Sequence, residues 1–465
     1  MSEIEFRTGE YGEKVLAVEP GGIEAIPAKD RHGKASSLFA VWASPNLEFA
    51  TIYVGALGVL FGLSFTQAVI GIVIGNALGA YAQYVLTQDG PKYGVPQLVV
   101  SRAAFGKLGN VFPSLANWFA SGIGWFAVNS VSGAFALASL THMSNLLSLL
   151  VVVIVQIAVA FIGHNLVQKV EKYLMPYLVV VFGITGIIVL TKAHLGGASH
   201  WYFPGAWLVF LGAVYGYAAG WNPFASDYAR YLPATEDPKV AGRSAALGLF
   251  TSAAILEIFG AAAVTAGMGD YAHGNPVAQY THLMPTWLGK LVLLGIVLGS
   301  ICANALNIYS GVMSLLTAGV KLKSSLLRAI ATIVVGVAGF FVAHWAMGNP
   351  TNNLENFLLV MAYWIGPWLG VMAADKLLRK GASVEKLLFS SRENFAAPLA
   401  FLVATGLSIW LFANQTYYVG YFPKHYGYLG DVTFLVGFLV AFVIYYLLFP
   451  VGAAHNAATE KHISE

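Results

Sequence analysis

Runs of about 20 consecutive apolar residues recur along the whole chain, separated by short polar turns. Wound as a helix rising about 1.5 Å per residue, each run covers the roughly 30 Å hydrocarbon core of a bilayer. In lipid every backbone polar group must be satisfied within the protein, so helices of this kind are the natural spanning element. The composition agrees. Of 465 residues, 57% are hydrophobic and 10% charged, against roughly 25% charged in a soluble domain. The fold class expected is an all-α polytopic membrane protein.

Twelve spans are read, at 37–60, 64–86, 110–138, 144–163, 173–191, 205–231, 241–267, 287–318, 325–346, 354–374, 395–413 and 431–450. Lys and Arg decide their orientation, because cytoplasmic loops carry the excess. With the N-terminus inside, 22 of the 25 basic residues fall on inner segments, and Lys192, Lys290 and Lys424 alone fall outside. A missing span would scramble that alternation. Both termini are therefore expected in the cytoplasm, in a protein of the inner or plasma membrane. The outer loops at 269–286 and 414–430 are rich in Gly, Tyr, His and Pro and suit interfacial lids. The polar first 35 residues lack the layout of a signal peptide and read as a cytoplasmic tail.

Other functions are excluded by what is missing from the sequence. A net charge of +3 does not call for a nucleic-acid partner. The single cysteine, Cys302, allows neither a disulfide framework nor a metal cluster. There is no phosphate loop, no HExxH and no CxxC. No cofactor and no obligatory protein partner are expected beyond the lipid bilayer, and an ion gradient is the expected energy source for transport.

Two spans carry helix-breaking sequence near mid-depth. In the first, Trp42-Ala43-Ser44-Pro45-Asn46-Leu47-Glu48 interrupts an apolar run, and in the sixth Gly220-Trp221-Asn222-Pro223-Phe224-Ala225-Ser226-Asp227 does the same. Proline removes an intrahelical hydrogen bond, and the freed backbone must find protein, ligand, ion or water. The two segments resemble each other and lie five spans apart, so the second enters the membrane in the opposite sense. Matching breaks in two inverted halves point to a midplane site in secondary transporters. Ordinary proline kinks are the plainer alternative. On the inverted-repeat reading, 1–36 is a cytoplasmic tail and 37–450 one transporter domain, followed by a tail at 451–465. The domain divides into repeats 37–191 and 205–374, with two extra helices in 395–450.

Polar groups inside a membrane are costly and tend to face a bundle interior. In GIGWFAVNS (122–130), Trp125 and Asn129 share a helix face. An indole beside a carboxamide suits a flat ring whose polar edge must be read, although a packed Trp and an interhelical Asn bond would look the same. In GSICANALNIYS (299–310), Ser300, Asn304 and Asn307 share one face, as site residues or as interhelical glue. Glu48 and Glu257 are the deepest acids, able to carry a proton or pair with a cation. Asp227 sits nearer the cytoplasmic end, close to Arg230, where a structural ion pair is the expected role.

Together these segments carry a resemblance. SRAAFG (101–106), GIGWFAVN (122–129), SDYARYLP (226–233), NALNIYS (304–310) and YWIGPWLGVMAAD (363–375) occur in order from Trp42 to Asp375. In them the chain resembles the nucleobase–cation symporter-1 family, in its purine–cytosine permease branch. The resemblance implies a five-plus-five inverted repeat with two extra helices. It implies that Trp125 stacks on a base, Asn129 hydrogen-bonds it, and Asn304 meets its edge with Asn307 in support. Ser44, Pro45 and Asn46 would line the site, and Glu171 in QKVEKY (168–173) would act in gating. Tyr217 and Trp221 both remain candidates for the sixth-span aromatic, with the spacing to Asp227 favouring Trp221. Sodium-coupled members carry adjacent hydroxyl residues on the eighth span, where only Ser300 is in reach here. A proton is favoured over sodium as the coupling ion, with a sodium site near Ser300 and Pro45 as the alternative. The function expected is cation-coupled import of cytosine or a purine base. Allantoin, hydantoin, uracil, thiamine or a pyridoxine-like vitamin are rival ligands, and a channel or transport-like receptor is a rival class. No nucleophile–base pair or metal constellation supports an intramembrane enzyme.

Overall fold

Proline at position 45 has no N–H to give, and the first apolar run does not stay helical past it. Helix α1 (Leu38–Ala43) passes into a 3-10 turn at Ser44–Asn46; Glu48 is extended, and α2 (Phe49–Leu60) begins afresh. The computed structural model describes residues 22–464 except 163, 269–273, 321–324 and 392. Its side chains are defined outside 160–172, 309, 321–331 and 450–464.

The chain then runs through α3 (Phe65–Thr87), α4 (Val111–Thr141), α5 (Asn145–Ile162) and α6 (His164–Lys192). Ser64 starts α3 with a capping box: its hydroxyl accepts from Gln67 N at 3.2 Å and Gln67 Oε1 accepts from Ser64 N at 3.1 Å. The sixth apolar run is broken as expected. Helix α7 (Ala206–Ala219) gives way to a 3-10 turn at Asn222–Phe224, and α8 (Ala225–Ala229) resumes. After it come α9 (Pro238–Thr265), α10 (Thr286–Thr317), α11 (Ser325–Ala346), α12 (Pro350–Arg379), α13 (Ala396–Phe412) and α14 (Thr433–Ser464). A helix thus lies over each of the twelve apolar runs. Among the described residues, six helices are long and apolar enough to cross a membrane.

Three local features were not foreseen. Helix α4 contains a π-helical stretch, Phe119–Trp125, where two glycines leave room for a wider turn. Helix α6 begins at His164, ahead of the apolar stretch Tyr173–Lys192 that matches the expected fifth span. The segments read as loops contain short helices at Asp89–Tyr93, Gln97–Val100, Arg102–Gly109 and Pro276–His282, and a small hairpin pairs Asn414–Gln415 with Tyr418–Val419.

Small residues let the broken first helix sit deep in the bundle. A Cβ on Gly55 would lie 1.8 Å from the Glu257 carbonyl, and one on Gly260 would lie 1.7 Å from the Ile52 carbonyl, so α2 and α9 touch backbone to backbone. Helix α7 packs on α3 in the same way through Gly75 and Gly79. Between α3 and α4, Arg102 reaches across to donate to the Thr317 carbonyl at 2.8 Å. Burial lowers its guanidinium from the ordinary arginine value.

Candidate functional site

Ending α1 early swings Asn46 into the bundle, where it is fully buried. Its Nδ2 donates to the Trp42 carbonyl at 2.8 Å, closing off the last turn of α1. Its Oδ1 accepts from the Tyr217 hydroxyl at 3.1 Å and from Trp221 Nε1 at 3.0 Å. Its backbone carbonyl, freed by the break, accepts from Thr51 Oγ1 at 2.6 Å. One asparagine therefore ties the first break to both aromatic candidates of the sixth run. Tyr217 also meets Trp125 edge-on at 5.5 Å, which makes it the aromatic adjoining the third-run indole.

Two residues on, the extended backbone of Glu48 carries its carboxylate toward α4. The Asn129 carboxamide there, with its nitrogen toward the acid, donates from Nδ2 to both Glu48 oxygens at 3.0 Å, and its Oδ1 accepts from Asn307 Nδ2 at 3.1 Å. Asn304 itself is anchored. Its Nδ2 donates to the Phe126 carbonyl at 2.9 Å and to Ser130 Oγ at 3.1 Å, leaving Oδ1 to face Asn129 and Asn307.

Trp125, Asn129, Asn304, Asn307, Asn46, Glu48, Tyr217 and Trp221 thus form one cluster where α1, α2, α4, α7 and α10 meet. Every member but Trp221 is buried. Several other candidates stand apart. Asp227 is buried and accepts from the backbone N–H of Gln97 at 2.9 Å, so it clasps the segment between α3 and α4. Glu257 accepts from Asn76 Nδ2 at 2.6 Å, linking α9 to α3. Ser300 bonds within its own helix to the Val297 carbonyl at 2.9 Å, and its hydroxyl presses on Gly133 of α4. On the neighbouring position, a Cβ on Gly299 would lie 3.8 Å from the Leu47 carbonyl at the first break. Ser44 is half-buried and contributes its carbonyl, which accepts from Leu47 N at 3.0 Å. The side chain of Glu171 lies outside the described residues. Among those that are described, no three His, Cys, Asp or Glu side chains converge on a point that would hold a metal ion.

A cavity of about 280 Å³ adjoins this cluster but belongs to different chemistry. Its wall is apolar, with Phe49, Tyr53, Val128, Phe135, Trp345 and Phe357 prominent. Phe357 stands at the border. Its ring fills the space a Cβ would need at Gly124, and it meets Trp125 edge-on at 5.0 Å. Its apolar wall makes the cavity a poor place to read a polar ring edge.

Sequence reading missed Thr51, Ser130, Gln156 and Phe357. Ser130 donates to Gln156 Oε1 at 2.8 Å, and Gln156 Nε2 donates to the Ser300 carbonyl at 3.2 Å, so the pair buttresses Asn304. Each polar member is a hydrogen-bonding residue within an apolar helix, and that signal was present. Phe357 gave none, being one more aromatic in an apolar run.

Comparison with known proteins gives this geometry a context. Residues 25–437 match the family described as permease for cytosine/purines, uracil, thiamine, allantoin. The purine-cytosine permease fcyB of Emericella nidulans is 27% identical over 463 residues, covering 94% of this chain and 89% of that protein. Among solved structures, the inward-facing conformation of Mhp1 aligns with a TM-score of 0.73 at 19% identity, covering 94% of both chains. Mhp1 is also described as a nucleobase-cation-symport-1 family transporter in a closed conformation with bromovinylhydantoin bound; that structure aligns at 0.71 and 18% identity, covering 95% of this chain and 97% of Mhp1. At such identities the likeness is one of fold.

Proposed function

The chain belongs to the family of permeases for cytosine/purines, uracil, thiamine and allantoin, and on that premise we propose that it imports a nucleobase by cation-coupled alternating access. It is an integral membrane transporter and not an enzyme. The observation that carries the substrate reading is the cluster itself. Trp125 and Tyr217 supply ring faces, and Asn129 and Asn304 place two carboxamide groups 3.1 Å apart. Stacking tolerates many flat rings, so discrimination falls to these amides. The purine-cytosine permease name of the fungal relative supports cytosine and purines as the first substrates to try.

In this reading 37–450 is one transport domain, and the breaks in the first and sixth runs are the matching elements of two inverted repeats. The distribution of Lys and Arg supports both termini on the cytoplasmic side. A proton is preferred to sodium, because Glu48 brings a carboxyl into the cluster while the Ser300 hydroxyl is bonded to the Val297 carbonyl of its own helix. The test is uptake of labelled cytosine and adenine into proteoliposomes under separately imposed proton and sodium gradients. Accumulation under an inward proton gradient is expected. Accumulation under sodium alone would reassign the ion, and competition by allantoin, hydantoin or thiamine but by no nucleobase would reassign the substrate.

A further inference from the structure

We propose that Glu257 and Asn76 form a proton-binding site apart from the cluster, in which the Glu257 carboxyl keeps its proton throughout transport and donates it to the Asn76 carboxamide, fastening α9 to α3. The inference holds whichever base or ion is carried.

Glu257 on α9 and Asn76 on α3 are both fully buried. Asn76 Nδ2 donates to the Ile72 carbonyl at 3.0 Å and to Glu257 Oε2 at 2.6 Å. The Ile72 bond settles which end of the amide is nitrogen, because a carbonyl only accepts and an amide oxygen has no hydrogen to give it. With both N–H groups of Asn76 engaged, two atoms of the pair have no partner: Asn76 Oδ1 and Glu257 Oε1. In an ionised pair both are acceptors. A negative charge would then lie inside an apolar bundle on a single hydrogen bond, beside an orphaned amide oxygen. A proton on Oε1 removes the charge and supplies the one donor the pair lacks. Carboxyl and carboxamide complement each other in two directions, N–H to acid oxygen and acid O–H to amide oxygen. The first bond is present, and the two atoms of the second are the two left over.

No counter-charge competes for this proton. The elements packed on α9 are α1, α2, α3, α6, α7, the turns at 35–37 and 44–46, and the short helix Asp89–Tyr93. Helix α1 and the two turns carry no ionisable side chain. Tyr53 on α2, Tyr81 and Tyr84 on α3, Tyr173 and Tyr177 on α6, and Tyr215 and Tyr217 on α7 are neutral phenols. Glu48, just before α2, is engaged by Asn129. Lys192 ends α6 on the Leu283 carbonyl at 2.5 Å, and Asp89 lies 3.5 Å from Lys376, with Lys92 and Tyr93 on the same short helix. On α9 itself, Lys239 and Arg243 lie in the first turns. Among the described residues, no cation is bonded to Glu257. Water has no ready route either. Gly55 brings the α2 backbone onto the Glu257 carbonyl itself, and Gly75 and Gly79 close α3 against α7, so no side chain there can swing aside to admit it.

The experiment is infrared spectroscopy of the full-length protein in lipid bilayers between pH 5 and 9, wild type against Glu257→Gln. An ordinary carboxyl has lost its proton by about pH 6. The wild-type-minus-variant spectrum should instead contain the C=O band of a protonated carboxyl at undiminished intensity over the whole range. Glutamine puts a fixed N–H donor where the acid carries O–H. Glu257→Gln should therefore keep the wild-type melting temperature and still accumulate labelled cytosine under a proton gradient, whereas Glu257→Ala, which leaves Asn76 unpaired, should melt lower. A difference band that is missing, or that fades within the pH range, overturns the proposal. So does a Glu257→Gln protein that melts as low as Glu257→Ala, or one that exchanges cytosine but no longer accumulates it, which would make Glu257 the coupling acid. The spectrum and the melting comparison read the pair directly, so their outcome is separate from that of the nucleobase reading.

Discussion

The two helix breaks look alike in sequence and are used differently in the structure. At the first, the polar residues turn into the bundle: Asn46 takes bonds from Tyr217 and Trp221, and Glu48 reaches Asn129. At the second, only the aromatic Trp221 faces that cluster. Asn222 donates to the Gly79 carbonyl and to Gln83 Oε1, both at 3.0 Å; Ser226 donates to Gln97 Oε1 at 2.9 Å, and Asp227 accepts from the Gln97 backbone. A break frees backbone groups and lets the chain turn, but it does not determine which neighbour takes up its polar side chains. Here the first break equips a site and the second anchors a frame.

Substitutions can break that contrast or sharpen it. The largest loss of base affinity is expected from Asn304→Ala, which removes the anchored acceptor next to Asn129. Leaving buried partners unsatisfied costs about 1–3 kcal/mol, and uptake assays should show at least about a tenfold loss with normal membrane expression. Unchanged uptake would remove Asn304 from the site. Asn46→Ala should come next, with a loss of about tenfold, because it unpairs Tyr217 and Trp221 together. Tyr217→Phe keeps the ring and loses only the hydroxyl that bonds Asn46 and Thr51. A change of about threefold is expected in competition binding. The smallest effect on affinity belongs to Asp227→Asn, at under about twofold, while its melting temperature should fall because the clasp on Gln97 is weakened. An Asp227 variant that melts normally but binds base poorly would erase the difference between the breaks.

The sequence makes the framework plain and the use of each polar group much less so. Apolar run length located the helices because lipid leaves the backbone few alternatives, and Pro45 and Pro223 marked the breaks because a missing N–H has a local effect. Residues with one available partner face were read correctly, as with the shared face of Asn304 and Asn307. What the sequence does not carry is which distant helix each group meets. That one asparagine, Asn46, bonds both Tyr217 and Trp221 could not be read from either run alone. Ser300 shares a helical face with Asn304, yet its hydroxyl turns to Gly133 because the missing side chain there leaves space. Gln156 is a polar residue within an apolar stretch of α5, and its role exists only through Ser130 and the Ser300 carbonyl.

The most direct test of the account sets one residue from each side of the contrast in a single assay. Equilibrium binding of labelled cytosine to purified Asn129→Ala and Asn222→Ala proteins compares the cluster with the frame. The account predicts at least about a tenfold rise in Kd for Asn129→Ala and a wild-type Kd for Asn222→Ala. Equal losses in the two variants, or a loss confined to Asn222→Ala, would contradict it.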